Sequence, residues 1–256
     1  MVTSNTPPLV SIVIPNYNYG KYIEDCVISC MQQDYLNLEV VVIDDRSTDR
    51  SREVLEHMVN QFNNLTVFYS PENGGYSLAK NAGIGISKGE YIVHLDADDM
   101  LTDGSITSRM NAFKEDPMLD FVHANAYLVY DDVNYIKCLR HQKLKKLEVD
   151  KSPYIHAQTW MVKRQVFDRF GIYYNMRSKS DKEMLWRLGL CKGQEQPLIK
   201  AKKIKDVVAF YRRHHNCMIN YRKKHPDYDK MIVKTFKERQ RIYESEGVTK
   251  ENTPFL

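Results

Sequence analysis

The sequence predicts an α/β protein built on a mostly parallel central sheet, and two observations carry that expectation. Within the first hundred residues, short apolar runs at 9–14, 38–43, 65–69 and 91–95 alternate with segments whose apolar residues recur at helical spacing. Runs that are apolar throughout belong to strands covered on both faces, which is the condition of parallel sheets. Three of the runs also stop at polar residues: Pro15-Asn16-Tyr17-Asn18, Asp44-Asp45, and Asp96-Ala97-Asp98-Asp99. Ligands of open parallel sheets bind beyond the carboxyl ends of the strands, so the three ends are expected to converge on one site.

Taken in order, strand 9–14 is closed by a loop-rich stretch ending at Gly20. A helix over 22–32 follows from the spacing of Ile23, Val27, Cys30 and Met31. After strand 38–43, Ser47-Thr48-Asp49 caps a helix running to about Phe62, with Val54, Leu55, Met58 and Val59 as its inner stripe. Strand 65–69, a turn at 71–75 and a helix over 77–86 lead to strand 91–95. Beyond Asp116-Pro117 the pattern loosens. A strand over 121–130, a charged loop or hairpin over 131–150, a strand running into a helix over 158–170 and an amphipathic helix over 181–190 are expected. A short strand at 207–211 precedes a basic helical tail.

At 256 residues the chain is long enough to bury a sizeable core as one large domain with an appendage. Its 43% hydrophobic and 27% charged residues are ordinary for a soluble enzyme. No apolar run is long enough to cross a bilayer, and the polar first eight residues do not read as a secretory signal. Five cysteines without CxxC or zinc-type spacing suit a reduced cytoplasm, with Cys26 and Cys30 read as packing residues. The net charge of +4 conceals an asymmetry: residues 200–241 hold 14 Lys and Arg against 4 Asp and Glu. Such a segment meets an anionic membrane surface, a nucleic acid or only water.

The most informative segment is the last of the strand ends. A buried strand running into three carboxylates within four residues is electrostatically costly unless positive charge offsets it. A divalent cation carrying a phosphate ligand meets that need, because Mg²⁺ or Mn²⁺ takes one or two carboxylates and fills its other positions with phosphate oxygens and water. By residue type alone, a turn or helix start is the competing reading.

In this order and strand context, four pieces of the chain resemble the family 2 glycosyltransferases, inverting enzymes with a GT-A type nucleotide-sugar fold. They are Val10-Ser-Ile-Val-Ile-Pro-Asn-Tyr-Asn18, Glu39-Val-Val-Val-Ile-Asp-Asp-Arg-Ser-Thr-Asp49, Asn73-Gly-Gly75 with Ala79-Lys-Asn-Ala-Gly83, and 89–99. The resemblance spans about 9–215. It implies a domain over 1–220, with a nucleotide-binding half over about 9–100 and an acceptor half over about 101–220; the basic tail is expected as a helical extension over 221–256. It also implies a hexosyltransferase-like activity with a nucleoside-diphosphate sugar as donor, a UDP-sugar by preference, and Mn²⁺ or Mg²⁺ as cofactor.

Carried over by position, Pro15 and Tyr17 would lie against the base and ribose. Asp44 would accept a hydrogen bond from the base edge, as a carboxylate does for a uracil N–H. Asn73 and the following glycines would bring backbone close to the donor. Lys80 stands where the family carries Arg and would add positive charge to the donor set without a bidentate contact. Asp96 and Asp98 match the Asp-x-Asp pair, with Asp98 as direct metal ligand and Asp96 nearer the ribose or a bound water; Asp99 reads equally as a helix cap.

Asp181 follows Ser180, where the family has Glu, and holds the position of the general base that deprotonates the acceptor hydroxyl. In Tyr211-Arg-Arg-His-His-Asn216, His214 would be the third metal ligand or a diphosphate contact, assisted by Arg212 or Arg213. Trp160 reads either as core or as a wall of the acceptor pocket.

The acceptor is a glycan, a glycolipid or another hydroxyl, and the basic tail offers a contact for a polyanionic acceptor or the inner face of an anionic membrane. A nucleotidyltransferase of similar fold would carry a glycine-rich basic loop after the first strand, where this chain has Pro-Asn-Tyr-Asn-Tyr-Gly. A non-catalytic nucleotide-sugar binding module would be expected to have lost the Asp-x-Asp pair or the base, and both are present.

Overall fold

A computed structural model describes residues 6–130, 145–147, 155–176, 178–191, 194, 197–217, 220 and 224–248. Four strands form a parallel set: β1 (Val10–Asn16), β2 (Leu38–Asp44), β3 (Leu65–Tyr69) and β4 (Tyr91–His94), in the spatial order β3-β2-β1-β4. Helices α1 (Ile23–Met31), α2 (Ser51–Val59) and α3 (Tyr76–Ile86) connect them. Beyond β4 the sheet continues through β8 (Trp160–Lys163), β6 (Phe121–Tyr130), β9 (Ala201–Arg213) and the two-residue β5 (Met100–Leu101), while β7 (Lys145–Leu147) pairs with β6. The longest ladders are parallel: seven positions between β1 and β2 and nine between β6 and β9. β5, β7 and β8 pair antiparallel.

Both faces of the parallel set are covered, as its continuous apolar runs require. Alternate residues of β1 enter different cores. Val10, Ile12 and Ile14 pack with Ile23, Val27, Leu55 and Met58 from α1 and α2. Val13 points the other way, against Ile84 of α3, Ile92, Phe121 and Val166. These side chains are wholly or almost wholly buried, and each contributes about 1.5–3 kcal/mol relative to exposure. Helix α3 approaches β1 so closely that a Cβ at Gly83 would stand 2.3 Å from Val13 Cγ1. An alanine there would push the helix off the sheet.

The second half was harder to anticipate. Helix α4 (Ser105–Glu115) and β5 went unassigned, and β9 is 13 residues long where only 207–211 read as strand. Lysines at its start hid it; Lys200 and Lys202 pair with Asp116 and Glu115. β6 carries a register shift around Asn125, whose amide donates to Lys205 O at 2.9 Å, and such a bulge bends the sheet. Apart from 145–147, the charged segment 131–150 lies outside the described residues. Trp160 belongs to the core: it is 3% exposed and meets Phe121 edge-on at 4.9 Å.

Two further helices, α5 (Gln165–Phe170) and α6 (Ser180–Arg187), cover the second face, and α7 (Pro226–Glu246) docks on α6. Ile232 and Phe236 of α7 cluster with Met176, Trp186 stacks on Tyr243 at 5.9 Å, and the Tyr243 hydroxyl donates to Glu183 at 2.6 Å. The five Lys and Arg of α7 are matched by five Asp and Glu, so the positive excess of 200–241 resides before the helix. Residues 222 and 223 of that excess lie outside the described residues. Among the described residues, no helix is long and apolar enough to cross a membrane.

Candidate functional site

The carboxyl ends of β1, β2 and β4 open onto a cleft of about 640 Å³. On one side its wall is two interlocked loops. The Asn18 carbonyl oxygen of the side chain accepts from Thr48 N at 2.7 Å, Asn18 N donates to Ser47 Oγ at 2.9 Å, and Gly20 N donates to Asp49 Oδ2 at 2.8 Å. Asn18 adopts φ 60°, a left-handed conformation that Asn tolerates better than most residues. Tyr17, 46% exposed, projects from this wall beside Pro15.

The two carboxylates at the end of β2, of which Asp44 was expected at the base edge, are placed differently. Asp44 is buried, accepting from Asn16 Nδ2 at 2.7 Å and Ser47 N at 3.1 Å, and is absent from the cleft wall. Register explains this, because Asp44 sits opposite Asn16 of β1 and is drawn into that pairing. Asp45 lines the cleft instead, and its two oxygens accept from Gly74 N at 2.8 Å and Gly75 N at 2.7 Å. Asn73 closes the same turn with a 2.9 Å bond to Asp45 O. Gly75, at φ 87°, allows the chain to enter α3 directly from it.

At the end of β4, Asp96, Asp98 and Asp99 bring one oxygen each to within 4.8 Å of one another. Burial, then the neighbouring Asp98, pushes the Asp96 carboxyl up to about 7 and holds Asp99 well above the carboxylate range. Asp99 Oδ2 is buried without a hydrogen-bond partner. An all-oxygen donor set with crowded like charge and an unsatisfied oxygen fits a hard divalent cation such as Mg²⁺ or Mn²⁺. Asp99 caps no helix; its Oδ1 accepts from Arg212 N at 2.8 Å and ties the cluster to β9.

The end of β9 and the residue after it close over this cluster. His214 Nε2 meets Asp98 Oδ2 at 2.9 Å, its ring held by Tyr22 at 4.9 Å and Tyr19 at 5.9 Å. Its Nδ1 is buried without a partner. Arg212 is 2% exposed, bonds Asp98 O at 2.8 Å and lies 3.6 Å from Asp25.

Across the cleft stands Asp181, near the start of α6, after Lys179 at φ 65°. The Tyr76 hydroxyl lies between the two sides, 2.6 Å from Asp96 Oδ1 and 3.4 Å from Asp181 Oδ2. Lys80 pairs with Asp181 Oδ1, and its side chain is wholly buried outside the cleft wall. Its ammonium lies 3.5 Å from the Tyr173 ring centre and 4.4 Å from that of Tyr76. Burial lowers its pKa while Asp181 opposes that shift. The side chain expected in the donor set thus lies with its charge enclosed by the two rings and Asp181.

Glu183, two residues on from Asp181, faces away. It is 1% exposed and bound by Arg187 at 3.0 Å and Tyr243 at 2.6 Å. Arg187 in turn donates to Phe170 O and Ile172 O, anchoring α6 to the loop before it.

The structure thus brings Pro15, Tyr17, Asn73, Asp96, Asp98, Asp181 and Arg212 to one cleft. Tyr76, Ser178 and Tyr228 also line it and were not singled out, as do Asp45 and Tyr211, named only within a strand end and a motif. Tyr76 follows Gly75 directly, so its neighbour in the 73–75 motif was the one available signal. Nothing local marks Tyr228.

The profile described as Glycosyl transferase family 2 matches residues 11–171. The chain is 39% identical over 124 residues to glycosyltransferase GlyG of Streptococcus pneumoniae, covering 48% of this chain and 40% of that protein. It spans about half the length of the curated relatives it matches. TarS 1–349 of S. aureus, solved in complex with UDP-GlcNAc, matches with a TM-score of 0.62 at 19% identity, over 80% of this chain and 59% of that one. Mannosyltransferase PcManGT of Pyrobaculum calidifontis, solved with GDP-Man and Mn²⁺, gives 0.64 at 22%, over 85% and 61%. At these identities the likeness is one of fold, and it is the GT-A fold.

Proposed function

The chain belongs to glycosyl transferase family 2, and from that premise we propose that it is a metal-dependent inverting glycosyltransferase moving a sugar from a UDP-sugar to an acceptor hydroxyl. One observation carries the reading: a carboxylate outside the acidic cluster, Asp181, lines the same cleft as Asp96 and Asp98. That is the disposition single displacement needs, with the leaving diphosphate on one side of the anomeric carbon and a base on the other.

Asp98 would hold the cation, with His214, Asp96 and Asp99 around it. A divalent cation there neutralises charge on the departing diphosphate. Tyr17 and Pro15 form the wall for the base and ribose, Asn73 and Asp45 set the turn beside them, and Arg212 stiffens the acidic cluster from below. The proton of the acceptor hydroxyl passes to Asp181 Oδ2. The hydroxyl oxygen bonds to the anomeric carbon from the face opposite the diphosphate, and the broken C–O pair leaves with the diphosphate. Glu183 is not available for this role, being enclosed by Arg187 and Tyr243. Ser178, Tyr211, Asn216 and Tyr228 line the cleft with hydroxyls, an amide and rings, which suits a glycan or glycolipid acceptor.

The test is nucleotide release from a panel of UDP-, GDP- and CDP-sugars with Mn²⁺ or EDTA, together with calorimetry of the free diphosphates. UDP is expected to bind tightest and release to stop in EDTA. Preference for GDP would overturn the uridine assignment alone. Failure of every nucleotide to bind would overturn the function.

A further inference from the structure

We infer that Lys80 is a positioning residue for Asp181 and does not contact the donor; this rests on the proposed role of Asp181 as base. A fully buried ammonium is costly unless charge and polarisable surface replace its water. Lys80 has 0% side-chain exposure and finds both: the Asp181 carboxylate and the faces of Tyr173 and Tyr76, at 3.5 and 4.4 Å. To reach a diphosphate the ammonium would have to leave that enclosure and abandon Asp181, which is itself 25% exposed to the cleft.

The other neighbour of Asp181 cannot do the same job. Tyr76 has one hydroxyl proton, and the nearer acceptor is Asp96 at 2.6 Å, against 3.4 Å to Asp181. Lys80 therefore fixes the rotation of the Asp181 carboxylate. It engages Oδ1 and leaves Oδ2, 3.4 Å from the Tyr76 hydroxyl, on a residue that lines the cleft. A carboxylate in the first turn of a helix would otherwise turn among several rotamers. Misorientation of the base lowers the rate without touching donor affinity.

The experiment substitutes Lys80→Met, which keeps length and removes charge, with Lys80→Gln as a second variant that retains a donor should the first fail to fold. Thermal unfolding checks both. In transfer assays kcat is expected to fall tenfold to a hundredfold while the donor KM moves less than twofold. Calorimetry with UDP and Mn²⁺, and with GDP and Mn²⁺, should give Kd values within twofold of the unsubstituted protein. In an Asp181→Asn background, adding Lys80→Met should change the residual rate less than twofold, because the residue it serves is already disabled.

Diphosphate affinity weakened fivefold or more at constant kcat would overturn the inference and return Lys80 to the donor. A rate loss fully additive with Asp181→Asn would equally overturn it. The calorimetric arm needs no turnover, so it decides about the donor even if transfer itself is not observed.

Discussion

The two walls of the cleft are held by different means. On the side of Tyr17, loops 16–20 and 45–51 are laced by short backbone-to-side-chain bonds between neighbouring strand ends, such as Thr48 N to Asn18 and Gly20 N to Asp49. On the side of Asp181, the work falls to buried charge: Lys80 beneath the base, and Arg187 with Glu183 inside α6. Lacing spreads its stability over many bonds of about 1 kcal/mol each. Buried ion pairs concentrate it, because losing one partner strands the other. The first wall should therefore fail gradually and the second abruptly.

The contrast is broken most sharply at the chemistry itself. Asp181→Asn is expected to cut transfer by about 10²–10⁴-fold while leaving UDP affinity nearly intact. Asp98→Asn should cost at least about 10²-fold and also weaken Mn²⁺ binding, read by calorimetry. Transfer near the original rate in either variant would remove that residue from its role.

Next comes the buried pair. Arg187→Met leaves Glu183 uncompensated and should lower stability by about 3–5 kcal/mol in urea unfolding, with Asp181 untouched. A loss no larger than that of an exposed pair such as Arg52–Glu56 would show that the acceptor wall does not depend on buried charge.

A third measurement uses pH. The Asp96 carboxyl lies at about 7 in the folded protein, against 3.8 ordinarily, with burial the main cause and Asp98 the next. Between these values the folded chain holds a proton that the unfolded chain has released. Stability without metal should therefore fall as pH rises through about 4 to 7 and stay low above it. Asp96→Asn should melt like the parent near pH 4 and higher than it above pH 7, by on the order of 5 °C in EDTA. A pH-independent difference would refute the shift.

The smallest effect belongs to the laced wall. Ser47→Ala removes an acceptor used by Asn18 N and Asn16 Nδ2 and should cost only about 1 kcal/mol, with a severalfold rise in donor KM.

The same contrast decides what could be read from the residues alone. Asp96 and Asp98 were legible because an apolar strand running into carboxylates is a local signal. The four parallel strands were legible for the same kind of reason. Asp44 and Asp45 could not be told apart without the pairing of β2 with β1, since adjacent residues on a strand face opposite ways. Lys80 looked like any helix-face lysine, and only Tyr173 and Asp181, brought from far along the chain, make it a buried one. β5 is too short to show a pattern, and α4 hides a buried arginine, Arg109, on its inner face.

The docking of α7 has a practical consequence. The hydroxyl of Tyr243 reaches back across the fold to the helix that carries the base, and Arg239 holds that hydroxyl from behind at 2.5 Å. A shortened protein cut at residue 220, where the C-terminal extension was expected to begin, would bare the apolar flank of α6 and take a partner from Glu183. What reads as an appendage is a buttress, and any minimal active fragment has to extend past Tyr243.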